Sequence, residues 1–533
     1  MKLSAYQNYL FLILTLLLTQ KIYSQKIIPV NPGYGTLNAA IENEESNHSR
    51  EELSNTIFTL ERDGFYITTG TLENVAYKLN VWSADGPGAR PIIKPGVDQG
   101  GLSVNSFTPR GDLYLKGLSI RNVDILGSVL GDCVVGRSDS LNIVFEDCHF
   151  DSTATSFIRM DVDWLNIKAI DCIFSNSNGA YNGSRLYDTR KNNVDSILIQ
   201  NCTIYNIASY PSRGTSSGGA INFIKWDHNT IYNVSRKMGG VGQTIDSYFT
   251  NNLFINMAIM GKDSLGTYLP HPQYEGDIFL TIRELNNIYA VGKEQNLYFH
   301  HNNFFNDPAY IEAIPEGVTY PIPYFENYGW EKFYENNSLE TWYEIDVEFE
   351  HPPLVVPEHV SLLWSLTDDN QDGSVGEDVL GRFTNDGHPF DFSYPETNFC
   401  YTAAENGYPL GDLNWFPDKK SQWEAGEILT SIKNTEQQLP GKIELYQNYP
   451  NPFNPSTTIS FYLNRSAVVN LSIYNMLGEK VGTLINDEIK NPGKHSIKWN
   501  VKNSIHNSVS TNIYFVKLKV DENSFMNKMI YLK

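Results

Sequence analysis

A short pattern of alternating hydrophobic and polar residues recurs seven times between residues 112 and 307. Each copy contains an apolar strand of alternating polarity, a small or polar residue at a fixed place, a second apolar pair, and then Asn, Asp or Ser. Alternation of this kind predicts β-structure in every copy. The copies span residues 114–122, 144–152, 168–176, 198–206, 225–233, 248–256 and 299–307.

The central position of the pattern sets the spacing between repeats, with steps of 30, 24, 30, 27, 23 and 51 residues. A period in the twenties, with strands inside each copy, predicts a solenoid in which every repeat adds one rung. A leucine-rich repeat has a similar period, but its consensus leucines and helical limb are missing, so a parallel β-helix is favoured. The central residues are Leu118, Cys148, Cys172, Cys202, Asn229, Asn252 and Asn303.

We expect these central residues to stack inside the helix, because equivalent residues of neighbouring rungs lie about 4.8 Å apart. The cysteines would pack as apolar thiols, and the asparagines would form a ladder of hydrogen-bonded amides. Connections between parallel strands are strongly biased to the right hand, which predicts a right-handed helix. The long last step leaves two alternatives, which are two rungs with one degenerate copy or one rung with a long excursion.

Both ends of the chain predict export. Residues 10–18 form an apolar run behind Lys2, which is typical of a secretory signal peptide and too short to span a membrane. Near the other end, Asn448 is followed by the run Pro-Asn-Pro-Phe-Asn-Pro at residues 450–455, then by Gly478 and a lysine-bearing terminal strand. This segment resembles the type A C-terminal sorting domain of the type IX secretion system. The family usually has Gly where this chain has Asn512, a residue that also tolerates left-handed backbone.

The resemblance implies that the type IX secretion machinery is a partner and that the protein is released or attached outside the cell. We therefore divide the chain into a signal peptide (1–24), a right-handed parallel β-helix with an N-terminal cap (25–310), an irregular capping or extension region (311–432), a polar linker (433–442) and the sorting domain (443–533). The short strands of the sorting domain predict a small β-sandwich. The fold class is all-β, and we expect a monomer without a membrane span in the mature chain.

The chain has 533 residues and a formal net charge of −21. This excess of acidic residues argues against nucleic acid as a partner, because phosphates need a basic face. It does not exclude an acidic polysaccharide, since a local basic strip can form on an acidic protein. Two groups of residues are candidates for ligand binding.

The first candidate is a calcium loop. Asp368, Asn370 and Asp372 alternate along the chain and precede Gly373, which would allow the sharp turn around the ion. Position twelve of such a loop would be Val379 instead of a bidentate Glu. The alternative is a solvated turn rich in Asp, Asn and Gly.

The second candidate is a basic column that would bind an acidic glycan. Arg159 and Arg190 lie 13 and 12 residues before the central cysteines of their repeats, so both are predicted at nearly the same place in consecutive rungs. Lys191 adjoins the second arginine, and Lys225 falls in a following rung. Arginine binds carboxylates bidentately, which suits a uronate chain. The alternative is that these side chains form surface ion pairs with Asp161, Asp163, Asp188 and Asp195.

The central region resembles the pectin-lyase-like superfamily of right-handed β-helices, in particular its chondroitinase B and alginate lyase group. The paired Lys and Arg motif and the acidic calcium cluster of that group are not recognisable here, so no catalytic residue is transferred. The resemblance implies an exported protein that acts on or binds acidic polysaccharides, by β-elimination if it is an enzyme. The alternative is a non-catalytic glycan-binding, adhesive or structural protein of the cell surface.

Overall fold

The structure is a computed structural model, which describes residues 25–96, 105–177, 185–207, 209–214, 219–234, 238–257, 280–307, 332–333, 337, 341–353, 390–429, 443–446, 448, 451, 453–463, 467–476, 479–490, 493–501, 512–521 and 523–531. Most of the described chain is β-structure. A parallel β-solenoid of about eight turns is followed by an antiparallel unit, as the repeats and the C-terminal sequence predict.

Three parallel sheets, A, B and C, form the walls of the solenoid, and a typical turn visits them in that order. Sheet A contains Lys26–Val30, Thr56–Leu60, Leu79–Ser83, Leu113–Lys116, Asn142–Glu146, Leu165–Ile170, Val194–Gln200, Ala220–Asp227, the second half of Gly239–Thr250, and Asn296–His300. Sheet B contains Gly33–Tyr34, Phe65–Thr68, Ile92–Pro95, Ser119–Arg121, His149–Thr153, Ile173–Ser177, Thr203–Ile207, Thr230–Val234, Leu253–Met257, Asn302–Phe305 and Trp342–Tyr343. Sheet C contains Asp132–Gly136, Ser156–Met160, Arg185–Asp188, Ser212–Arg213, the first half of Gly239–Thr250, and Leu280–Ile282.

The fixed small or polar residue of each repeat makes the turn from sheet A to sheet B. It has a positive φ, a left-handed conformation that glycine adopts freely and that Asn and Asp tolerate better than other side chains. The residue after it points into the core. These turn residues are Gly117, Asp147, Asp171, Asn201, His228, Asn251 and His301.

The residue after each turn forms the predicted interior column. Cys148, Cys172 and Cys202 are fully buried and free, which confirms that they stack inside as thiols. Further along, the Asn229 side chain donates to Asn252 Oδ1 at 2.9 Å, and its own Oδ1 accepts the backbone N–H of Cys202 at 3.0 Å.

The register of the last repeat differs from the prediction by one residue. Asn252 donates to Asn302 Oδ1 at 3.0 Å, while Asn303 lies beside Leu253 in sheet B. The ladder therefore continues at Asn302 and not at Asn303. The sequence contains two adjacent asparagines at this point, so either alignment preserves the pattern.

The long last step is one rung with an excursion. The strand Gly239–Thr250 pairs directly with Asn296–His300, and Leu253–Met257 pairs directly with Asn302–Phe305. Leu280–Ile282 lies in the excursion and joins sheet C.

The final polar residue of each repeat forms a second ladder at the end of the sheet B strands. Asn176, Asn206, Asn233 and Asn256 all have a positive φ. The side chain of Asn206 donates to Asn176 at 3.1 Å, and Asn256 donates to Asn233 at 3.1 Å. The later rungs are thus joined by side-chain amides at two corners.

The helix Thr36–Asn47 packs on the first turn of the solenoid. Its residues Leu37 and Ile41 are buried in the solenoid core. Glu44 on the same helix binds Lys26 of the first strand at 2.6 Å. A short second helix, Arg50–Ser54, begins with a capping box formed by Ser49 and Glu52 and leads into sheet A.

The C-terminal edge of the solenoid is closed by side chains from residues 337 and 342. Asn337 accepts the backbone N–H of Phe299 and donates to the carbonyl of Leu297 at 2.8 Å, so it replaces a further strand on sheet A. Trp342 stacks on Phe304 at 4.7 Å between ring centroids and covers the end of the core.

Residues 343–349 and 390–429 cover the outer face of sheet B over its later rungs. Tyr205 and Tyr232 of the sheet share a buried cluster with Phe392, Leu410 and Phe416 of this cover. The cover contains the 3-10 helices Phe399–Thr402, Glu405–Gly407 and Leu413–Trp415, and the helix Pro417–Glu424.

A buried carboxyl group joins the cover to the sheet. The hydroxyl of Thr203 donates to Asp412 Oδ2 at 2.7 Å, and the backbone N–H of Asn414 donates to its Oδ1 at 2.9 Å. Burial raises the pKa of Asp412 to about 7, although these hydrogen bonds act to lower it. Nearby, Lys420 of the cover binds Asp171 at 2.7 Å.

The C-terminal unit is a small antiparallel β-sandwich, as predicted. One sheet consists of Glu444–Leu445, Ser456–Leu463 and Gly493–Asn500, and the other of Lys480–Lys490, Ala467–Asn475, Asn512–Val520 and Asn523–Tyr531. Residues of both sheets form a hydrophobic core of their own, which includes Phe461, Leu471 and Leu518.

We predict that Asn252→Leu lowers the free energy of unfolding by several kcal/mol. The change leaves two donors of Asn229, its backbone N–H and a side-chain N–H, without their partner, at about 1–3 kcal/mol for each buried group. Urea denaturation measures the loss. The control is Asn142→Leu at the exposed start of a sheet A strand, which should change stability by only about 0.5 kcal/mol. Equal effects of the two substitutions would contradict a stabilising ladder.

We predict that Asp412→Asn removes a pH dependence of stability. The folded protein binds a proton at Asp412 up to a pKa of about 7, whereas an unfolded Asp has a pKa of about 3.9, so wild-type stability falls as pH rises between those values. The difference in unfolding free energy, variant minus wild type, should therefore rise with pH across this window and then level off. Urea denaturation at a series of pH values measures it, with exposed Asp418→Asn as the control. A difference that is constant with pH would show that Asp412 is ionised in the folded protein.

Candidate functional site

Sheet C contains a column in which arginine and aspartate alternate from rung to rung. In the register of the sheet, Arg159 lies beside Asp188, and Asp188 lies beside Arg213. Because neighbouring rungs are about 4.8 Å apart, each carboxylate lies within reach of a guanidinium from the next strand.

A second set of alternating charges follows the ends of the same strands. Asp161 accepts from Arg137 Nη1 at 2.7 Å and from Arg159 Nε at 2.8 Å. Arg190 Nε lies 3.7 Å from Asp161 and 3.7 Å from Asp188, which is an ion-pair distance without a hydrogen bond. The two sets therefore form one network.

The buried centre of the network is Asp188. It is fully buried and accepts from Arg185 Nη1 at 2.9 Å, from Arg213 Nη1 at 3.2 Å and from the backbone N–H of Arg190 at 2.9 Å. The side chain of Arg185 is only 1% exposed. Burying two charges is expensive unless they are paired, so each of these groups requires the other.

Arg159 is held at the other end of the network. Besides Asp161 it binds Asp132 at 2.9 Å, and Asp132 also accepts from Ser156 at 2.5 Å. Burial acts to lower the pKa of Arg159, but the hydrogen bonds to Asp161 and Asp132 outweigh it and raise the pKa. Arg159 therefore remains a cation and is unsuited to accept a proton.

The network has unused hydrogen-bond donors. A guanidinium has five N–H donors, and Arg137 and Arg213 use one each in bonds to described residues. Arg190 makes no side-chain hydrogen bond within the described ranges, and its side chain is 39% exposed. Arg190 Nε itself is buried. The side chains of Arg137, Arg190 and Arg213 are nevertheless partly exposed, so an anion could reach their outer N–H groups.

The five arginines of the network meet three aspartates, but the same corner contains two more carboxylates. Asp163 accepts the backbone N–H of Asn193 at 2.6 Å, and Asp139 accepts the backbone N–H of Asp163 at 2.9 Å. The attraction of an anion to this face therefore depends on where the free donors lie and not on a large net charge.

The structure brings together some of the candidate residues and separates others. Arg159 and Arg190 share the network, and Lys191 is exposed beside it. Lys225 lies on sheet A, where it binds Asp227 at 3.0 Å, so it belongs to a different face. Ion pairing with Asp161 and Asp188, the alternative considered from the sequence, is present.

The predicted register of the two arginines was wrong. Arg159 lies beside Asp188 and not at the same place as Arg190. Arg190 is displaced by two residues. One comes from a β-bulge in sheet A, where Leu165 pairs with Val194 but Asn166 pairs with Ser196, so Asp195 is an extra residue. The other is the difference between the 13- and 12-residue spacings to the cysteines. Counting back from the cysteines loses register at this bulge.

Sequence reasoning missed Arg137 and Arg185 in this network. The signal that could have found Arg137 is the alternation of Arg137, Asp161 and Arg190 at steps close to the rung period. Arg185 had no such signal, because a buried ion pair leaves no periodic pattern in a single copy.

The predicted calcium ligands Asp368, Asn370 and Asp372 lie outside the described residues. Within the described part of the chain, no three His, Cys, Asp or Glu side chains are placed to hold a metal ion. Calcium binding by the loop at residues 368–379 stays a prediction.

Comparison with known proteins identifies the C-terminal unit. The family described as the secretion system C-terminal sorting domain matches residues 447–532. This match confirms the sorting domain predicted from the sequence, and the protein is therefore exported by type IX secretion and is secreted or attached to the cell surface. No curated protein and no solved structure matches the chain. Among the described residues, no helix has the length and apolar character needed to cross a membrane.

We predict that Asp188→Asn lowers the free energy of unfolding by about 3–5 kcal/mol, because it leaves the buried Arg185 charge without its partner. Urea denaturation measures the loss. Adding Arg185→Met should restore much of the stability, since an apolar side chain does not need the carboxylate.

The matched control for this prediction is Asp195→Asn. Asp195 accepts from the side chain of Asn222 at 3.0 Å and is half-buried, so the substitution should have a small effect. If the double variant were no more stable than Asp188→Asn alone, the buried charge of Arg185 would not be the cause of the loss.

Proposed function

We propose that this protein is an exported glycan-binding β-helix whose sheet C face binds the carboxylates of an acidic polysaccharide. The observation that carries the proposal is the set of unused guanidinium donors on Arg137, Arg190 and Arg213, which lie beside the carboxylates of Asp161 and Asp188. A ligand with carboxylates at regular intervals suits a face whose cations repeat along the solenoid axis.

The arginines are preorganised for this task. Arg137, Arg159 and Arg213 are each hydrogen-bonded to a carboxylate, so these side chains have little freedom left to lose when an anion binds. Export by type IX secretion places such a face where polysaccharides outside the cell can reach it. The net charge of −21 would repel a polyanion at a distance, so binding would depend on these local contacts.

Binding is favoured over catalysis for the arginines themselves. β-Elimination needs a base that removes the proton next to the carboxylate, together with a cation that neutralises the carboxylate. The raised pKa of Arg159 suits the second role only. If the protein is a lyase, its base is another residue.

The test is to measure the affinity of the purified chain for alginate, pectate and glycosaminoglycans by calorimetry, with a neutral glucan as the control ligand. Arg159→Ala combined with Arg190→Ala should weaken binding at least tenfold, about 1.4 kcal/mol, since desolvated carboxylate contacts are lost. Lys225→Ala, on sheet A, should leave the affinity unchanged. Unchanged affinity in the double variant, or equal binding of the neutral glucan, would contradict the proposal.

A milder variant keeps the test valid if the double variant is unstable. Arg190→Gln leaves Asp161 and Asp188 with their closer partners Arg159 and Arg185, so the fold should persist while the affinity falls. The same samples distinguish binding from cleavage, because a lyase creates an unsaturated uronate that absorbs in the ultraviolet. A product that absorbs in the ultraviolet would show that the protein is a lyase and not a binding protein.

A further inference from the structure

An aromatic pair adjoins the arginine network at the corner between sheets C and A. Trp164 follows Asp161 by three residues and has a φ of 63°, which is an unusual conformation for a bulky side chain. Its backbone N–H donates to the carbonyl of Asn193 at 2.7 Å, which fixes it in the corner. The ring of Tyr289 lies 5.0 Å from that of Trp164 at an interplanar angle of 86°.

Tyr289 comes from a distant part of the chain. It lies on residues 283–295, which connect Leu280–Ile282 in sheet C to Asn296–His300 in sheet A. This segment reaches back along the corner, over several rungs, to contact Trp164. The contact is therefore formed by tertiary structure and is invisible in the repeat pattern.

The segment is held firmly on its inner side. The backbone N–H groups of Asn286 and Asn287 donate to Gln243 Oε1 at 2.8 and 2.7 Å. Ala290 is fully buried against Ala220 and Ile245. The outer side of the segment has exposed apolar groups. Tyr289 is 53% exposed, and its neighbour Ile288 is exposed as well.

We propose that Trp164 and Tyr289 form a subsite that stacks on the pyranose ring of a uronate residue whose carboxylate binds the adjacent arginines. This inference rests on the proposed function. A uronate has two features that a protein can recognise together, a carboxylate and an apolar ring face. Guanidinium donors suit the first and aromatic rings suit the second. The corner supplies both within a few residues, since Asp161 binds Arg137 and Arg159 and is followed by Trp164.

The occupant is a uronate oligosaccharide in preference to a neutral one because of charge complementarity. A neutral sugar would use the rings and leave the guanidinium donors of Arg190 without an anion. A folded protein partner would not present carboxylates at the regular interval at which these cations repeat. The expected occupant is therefore a sugar that carries a carboxylate.

The test uses the full chain and oligosaccharides from pectate and alginate. Tyr289→Ala and Trp164→Ala should each weaken binding roughly three- to tenfold, whereas Trp164→Phe should retain most of the affinity. The matched control is Tyr34→Ala, which removes a tyrosine of similar exposure, 58%, on sheet B. Circular dichroism and melting temperature establish that each variant is folded.

Salt dependence separates stacking from ion pairing. The effect of Arg190→Gln should shrink as ionic strength rises, because salt screens exposed charges. The effect of Tyr289→Ala should stay the same. If wild type binds and the arginine variants lose affinity while Tyr289→Ala and Trp164→Ala do not, the subsite is wrong and the proposed function stands. If wild type binds no acidic glycan, both are wrong.

Discussion

The left-handed turn between sheets A and B is the constraint on which the solenoid depends. Every rung must change direction within one or two residues, and an L-residue other than glycine pays about 1–2 kcal/mol for the left-handed conformation. The Asn, Asp and His residues found there accept this cost, as Asn201 and His228 do. The buried residue after the turn offsets it, since the Asn229 amide binds the backbone N–H of Cys202 in the neighbouring rung. The turn and the ladder thus stabilise each other. Because their residues are adjacent in sequence, a shift of the register by one residue would disrupt both.

Sheet C contributes apolar side chains to the core, as sheets A and B do, and in addition contains an ordered set of charges. Stacked apolar rings fill the core behind sheets A and B, as in the pair Phe150 and Phe174 at 5.2 Å. On sheet C, the fully buried Asp188 and Arg185 take the place that an apolar pair could occupy. Replacing a buried ion pair with apolar side chains often costs nothing or increases stability, so stability alone does not account for the pair. Its physical effect is to fix the orientation of several guanidinium groups at once.

Much of the fold follows from the repeats, and little of the site does. Turn residues such as Asp147 and interior residues such as Cys148 repeat because each rung faces the same steric problem, so their pattern is visible in one sequence. The strands of sheet C are short and their connections vary in length, so no pattern fixes their register. Arg190 lies two residues from the partner of Arg159, and the extra residue Asp195 accounts for one of the two. The contact of Tyr289 with Trp164 depends on a segment more than a hundred residues away, which periodicity does not reveal.

The amide of Asn337 opposes the addition of a further strand at the C-terminal end of the solenoid. A parallel β-solenoid ends in a row of backbone donors and acceptors that would accept another strand, from its own chain or from a neighbour. At the last strand of sheet A, the side chain of Asn337 occupies a donor and an acceptor of that row, and Trp342 lies over the core beneath. Polymerisation by end-to-end strand addition is thereby opposed at this end. A second copy that meets the protein outside the cell therefore finds the backbone N–H of Phe299 and the carbonyl of Leu297 already occupied.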